Sequence, residues 1–141
     1  MSSRRAEFRT ALFDILTDFK TANPSLLRQV YRARPATFYV PCAYVGPFTE
    51  PTVDIEMGSR LSRPDIRSSL VVVEGTYENA ETADRLDVLA DALLTYLVTQ
   101  HSRVSGATLL EPISGAEDID LTIGETTYAA SLIPVRLNAV D

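Results

Sequence analysis

The chain is poor in the residues that most often carry chemistry: its 141 residues include one cysteine and one histidine. A lone Cys42 permits neither an intrachain disulfide nor a thiolate metal cluster. Set among Val40, Pro41, Ala43 and Tyr44, it reads as an inert, partly buried thiol. His101 falls near the end of a predicted helix, where the dipole favours a cation, and no second imidazole exists to join it in a metal site or triad. Also missing are a Gly-rich phosphate loop, a G-x-S-x-G elbow and an H-E-x-x-H pair. No catalytic residue, cofactor or bound metal is therefore expected, and the chain does not read as an enzyme. No stretch approaches the roughly 18 apolar residues of a membrane span. The segment Met1–Glu7 lacks the apolar run of a secretory signal. The expectation is a protein made in the cytoplasm with no membrane partner. Lysine is nearly absent too, with Lys20 alone among the basic residues; that bias fits a GC-rich genome and says nothing of mechanism.

What is present is enough for one domain over 1–141. A hydrophobic share of 45% against 23% charged is the balance of a soluble globular protein with a real core. The formal net charge of −6 is unevenly spread. Residues 1–67 hold 10 of the 13 basic and 7 of the 19 acidic residues, a balance of +3; residues 68–141 hold 3 and 12, a balance of −9. A subunit polarised in this way can meet its own copy head to tail, basic surface against acidic. A chance distribution over a solvated surface would give the same count.

Along the chain, Phe8, Leu12, Ile15, Leu16 and Phe19 recur at helical spacing, opposite Glu7, Arg9, Asp14 and Asp18. They predict an amphipathic helix over about 4–20, stopped by Asn23-Pro24. Strands are expected at about 27–32 and 37–45, where Phe38, Tyr39, Val40, Tyr44 and Val45 cluster, with Pro35 and Pro41 marking an edge or a break. Residues 46–67, punctuated by Gly46, Pro47, Pro51, Gly58 and Pro64, read as an extended arm or hairpin. Leu70–Val73 is an apolar run suited to a central strand covered on both faces. Asn79 then caps a long helix to about His101, with the stripe Ala83, Leu86, Leu89, Ala90, Leu93, Leu94, Leu97 and Val98. Further strands are expected over 108–113 and 126–137, separated by a polar loop over 114–120, with a brief pairing at 121–123 and a turn at Gly124-Glu125. Pro134 must fall where no ladder donor is needed. The order implies an α+β fold: two helices packed on a mostly antiparallel sheet, with the arm around 46–67.

Three side-chain groups invite chemistry. Asp84, Asp87 and Asp91 share one face of the long helix; opposite a leucine stripe such carboxylates are solvated far more often than they bind a cation. Asp118-x-Asp120-x-Thr122 resembles the start of a calcium loop, but its glycine comes one position late and Ala129 stands where the bidentate acid belongs. Arg4, Arg5 and Arg9, or Arg28, Arg32 and Arg34 at one strand parity, are placed to contact phosphates. Against a nucleic-acid role stand a pI near 4.7 and the lack of any recognisable reading motif.

The sequence also carries a set of local phrases. The first helix runs into Asn23-Pro24-Ser25-Leu26-Leu27-Arg28-Gln29-Val30-Tyr31-Arg32-Ala33-Arg34-Pro35; Phe38 and Ala43-Tyr44-Val45-Gly46 follow. Arg67 then precedes Leu70–Val73, and a capped leucine helix leads to a closing strand from near Tyr128. In this order they resemble the tail terminator proteins of long non-contractile bacteriophage tails. The similarity covers most of the chain, although its phrases have no catalytic content. The resemblance implies an α/β sandwich that assembles into a ring, a hexamer, which caps the tail tube protein, ends its polymerisation and offers its other face to the head–tail connector protein. DNA would pass through the ring without specific binding, and an acidic channel would not trap it. The place implied is the virion tail or neck, after assembly in the host cytoplasm. Two other readings stay open: a head–tail connector or another minor tail protein, and a DNA-contacting module of a different class. Candidate contacts to a neighbouring subunit or the tube are Val53, Ile55, Met57, Arg60, Arg63 and Arg67. Glu117, Asp118 and Asp120 are the candidate acidic channel or partner-facing surface.

Overall fold

Phe8, Leu12, Ile15, Leu16 and Phe19 return at three- and four-residue intervals, and in the computed structural model they form the buried stripe of α1 (Arg4–Ala22). The structure describes residues 4–48, 66–76, 80–100, 108–112 and 115–139. Asn23 closes α1 twice over: its backbone N–H (2.9 Å) and its side-chain amide (3.2 Å) both donate to the Phe19 carbonyl. Pro24 disfavours a further helical residue before it. There follow β1 (Gln29–Tyr31), β2 (Cys42–Val45), β3 (Ile66–Thr76), α2 (Ala80–Gln100), β4 (Thr108–Pro112), β5 (Glu117–Ile123) and β6 (Thr126–Ala139). This is an α+β fold, two helices with a mostly antiparallel sheet, as the sequence implies.

The sheet runs β1-β2-β3-β6, and β4 and β5 share the far edge of β6. Every pairing is antiparallel except β1 with β2. β6 is long enough to take its two partners in tandem, β5 along Thr126–Leu132 and β4 along Val135–Ala139. Pro134 lies at the junction. On the β2 side, the Gly46 N–H donates to the Ser69 carbonyl at 2.7 Å, so Ser69 turns its backbone groups away from β6. Its cross-strand partner Pro134 therefore points its ring nitrogen at the far edge, where β5 has stopped and β4 has not begun. No ladder donor is lost there.

Alternation along β3 divides the core. Leu70 and Val72 face α1 and α2, with Ala43, Val45, Ala129, Ile133 and Val135 beside them. Val71 and Val73 face the other way, among Phe38, Cys42, Tyr44 and Ala130. All four β3 residues are buried, so the strand is central and covered on both sides, as expected. On the helix side, Leu12, Leu16, Phe19, Leu86, Leu89, Leu93 and Leu97 are fully buried. Each contributes about 1.5–3 kcal/mol by leaving water.

Several sequence expectations need correction. The first two strands shrink to Gln29–Tyr31 and Cys42–Val45. They pair in parallel, so residues 32–41 must cross from one end of the pair to the other and cannot continue either strand. This connection covers the second face, where Phe38 stacks on Tyr44 (5.9 Å) and meets Tyr128 edge-on (5.1 Å). In α2 the buried stripe begins at Thr82, not at Ala83, which is exposed. Thr82 lies seven residues, two turns, before Leu89 and shares its side of the helix. Val98 is also exposed, at 55%. The supposed loop over 114–120 is partly strand: Glu117–Asp120 belong to β5, because Ile119, Leu121 and Ile123 alternate toward the second cluster. Arg67 lies in β3 opposite Arg136, not in an arm. Val53, Ile55, Met57, Arg60 and Arg63 lie outside the described residues, as do Asn79 and His101.

Leu93→Ala should lower the unfolding free energy by about 2–5 kcal/mol in urea titration. Val98→Ala, on the exposed side of the same helix, should change it by less than about 0.5 kcal/mol.

Candidate functional site

β1 is short, and Arg32, just past its end, is held by α1. Arg9 Nη1 donates to the Arg32 carbonyl at 2.9 Å, and Arg32 Nη2 donates to Thr10 Oγ1 at 3.1 Å. Their guanidinium groups lie over aromatic rings, Arg9 on Phe48 (4.8 Å) and Arg32 on Phe13 (5.9 Å). Next to them opens a cleft of about 470 Å³ lined by Arg9, Ala33, Arg34, Tyr44, Val45, Gly46 and Pro47. Burial pushes the Tyr44 hydroxyl above its ordinary pKa, and the positive charge of Arg34 opposes that shift. Gly46 shapes the wall, since a Cβ there would collide with Ser69 Oγ. The three arginines expected on one strand face are not together. Arg28 sits at the opposite end of β1, its guanidinium 5.9 Å from the Tyr39 ring, because three strand residues are too few to align it with Arg32 and Arg34.

The other end of the sheet is acidic. Glu117, Asp118 and Asp120 are exposed on β5. β5 is an edge strand among the described residues, paired with β6 alone and turned back by a two-residue loop at Gly124 (φ +62°), a conformation glycine adopts without strain. Among the described residues, Arg9, Arg28, Arg32 and Arg34 have no carboxylate within ion-pair distance, and Glu117, Asp118 and Asp120 have no cation. Sequence order does not reveal that these two sets occupy opposite ends of one sheet; the strand order does.

A second, smaller cleft of about 230 Å³ lies between the α1–β1 connection and the start of α2, lined by Ser25, Leu26, Pro41, Glu74, Asp84, Arg85 and Val88. Glu74, at the end of the buried run, forms an ion pair with Arg85 at 2.8 Å. Burial nevertheless raises the Glu74 pKa, with Arg85 pulling it partly back. This pair was not expected from the sequence, where its one signal is an acid directly after four buried apolar residues. Asp84, Asp87 and Asp91 are exposed, as a solvated helix face would be.

Cys42 is more enclosed than expected. It is fully buried, and burial pushes its thiol pKa up to about 12. A thiol reagent at about pH 8 should leave it unmodified in the folded protein and label it once urea unfolds the chain. Glu74 gives a pH signature. Its folded pKa lies above the unfolded one, so the proton is held more tightly when folded, and stability is lost as pH rises through the folded pKa. Glu74→Gln removes that loss: its melting temperature relative to wild type should rise between about pH 4 and about pH 7. A flat difference would mean that Arg85 fully offsets the burial.

Compared with known proteins, the chain matches no protein-family model, and no curated protein matches it.

Proposed function

We propose that this chain is a ring-forming structural component of a long-tailed bacteriophage tail, a terminator that caps the tail tube and joins tail to head. The observation that carries the reading is the placement of charge without an ion-pair partner among the described residues: arginines at the β1 end of the sheet, carboxylates on the β5 edge. Patches of opposite sign on opposite sides of a subunit favour a head-to-tail contact between copies, and such contacts close into rings when the rotation permits. The resemblance of the local phrases to tail terminators supports the same reading and adds the hexamer, the tube protein and the connector as partners. In this reading Val53, Ile55, Met57, Arg60 and Arg63 contact a neighbour or the tube. Arg67, exposed on β3, presents its charge from the sheet itself. In this reading Glu117, Asp118 and Asp120 on the β5 edge face the neighbouring subunit.

The test is assembly. Purified protein added to polymerising tail tubes should stop their growth and appear as rings at the tube ends in negative-stain images. Light scattering should show the ring mass at high concentration. Tubes that lengthen unchanged in its presence would overturn the terminator reading, and binding to the head connector without tube capping would favour a connector. Salt-sensitive retention of duplex DNA by the free protein would favour a DNA-contacting module.

A further inference from the structure

We propose that the cleft between Arg9 and Arg34 is the docking site for the acidic β5 edge of a second copy of this chain. The inference rests on the ring reading and names the two surfaces that would meet. The cleft is a concavity of about 470 Å³ whose lining includes Arg9, Arg34 and Tyr44, and Arg9 donates to the Arg32 carbonyl beside it. These cations have no acidic partner among the described residues of their own chain. Arg9, held by one ring and one backbone carbonyl, is already ordered, so an incoming carboxylate meets a fixed donor there.

The chain itself carries the matching surface. Asp118 and Asp120 project from one face of β5 and Glu117 from the other, and the outer edge of the strand has no partner among the described residues. Acids on an open edge discourage unselective strand pairing. A partner with cations in a fixed place converts the same acids into a selective contact. The two surfaces sit at opposite ends of the strand order, so one copy cannot bring its own acids to its own cleft through the sheet, and two copies meet through unlike faces. Such a contact leaves one cleft and one acidic edge open on every dimer, ready for the next copy.

Cross-linking reads the contact directly, because Cys42 is buried and does not compete. An R34C variant and a D120C variant, mixed and mildly oxidised, should give a disulfide dimer in far higher yield than either variant alone. Self-association of the wild type should weaken as salt rises. Arg34→Glu should weaken it about tenfold or more, and so should Asp118→Arg combined with Asp120→Arg. An equimolar mixture of the two charge-reversed proteins should restore a pair. All three positions are exposed, and a melting curve for each variant would check that it is folded. Rings that cap tubes but ignore these substitutions and give no mixed cross-link would overturn this contact and leave the terminator reading standing. A mixed cross-link in a protein that never caps tubes would do the reverse. If Arg34→Glu instead lowers affinity for duplex DNA and leaves self-association unchanged, the cleft faces nucleic acid and the proposal fails.

Discussion

Between Leu70 and Val73, β3 gives both faces to apolar neighbours, and it holds this position because β2 and β6 flank it along the ladder. A buried strand with unpaired amides would cost about 1–3 kcal/mol for each unsatisfied group. The β3–β6 pairing therefore conditions everything around it. α1 and α2 bury their stripes against the side that carries Leu70 and Val72. The connection over 32–41 lays Phe38 on the side that carries Val71 and Val73. Each helix has too few buried side chains to stand alone. With β3 in place, they share one core.

The same arrangement keeps opposite charges apart. β2, β3 and β6 stand between the β1 end and the β5 edge, so the arginines and the carboxylates are separated by the width of the sheet. Charges of opposite sign close together would neutralise each other within the subunit. Held apart on a stiff sheet, they stay available to partners, and their directions are fixed by the fold and not by flexible side chains alone. The cation–π contacts of Arg9 and Arg32 work in the same sense, tying long side chains to rings of α1 and its surroundings.

The two helices, the central run and the closing strand were legible because their apolar residues keep a regular period over many positions. Less was legible where a period is short or interrupted. Gln29–Tyr31 has only three residues, and its parallel partner is known only once the chain is seen to cross the sheet. β5 hid behind its acids: Glu117, Asp118 and Asp120 read as a loop, although Ile119, Leu121 and Ile123 already alternated. Thr82 is polar by type yet lies at the azimuth of the buried stripe, and apolar Ala83 does not. For the site, the sequence supplied both charge sets but no distance between them. Arg9 meets Arg32 across the helix–sheet contact, and the Glu74–Arg85 pair spans a strand end and a helix start. Such pairings follow from topology, which a linear pattern does not contain.

The tandem partners of β6 also set an order of events as the chain folds. β5 and β6 are joined by two residues, so their hairpin closes on the microsecond scale. β3 is separated from β6 by α2, β4 and β5, and its pairing waits for a much longer loop to close. The hairpin can therefore stand ready before β3 pairs with it, and the helix stripes have a floor to dock on only once that strand is in place. A chain halted before that pairing would expose the apolar run Leu70–Val73 together with an open edge of β6, the two ingredients of aggregation.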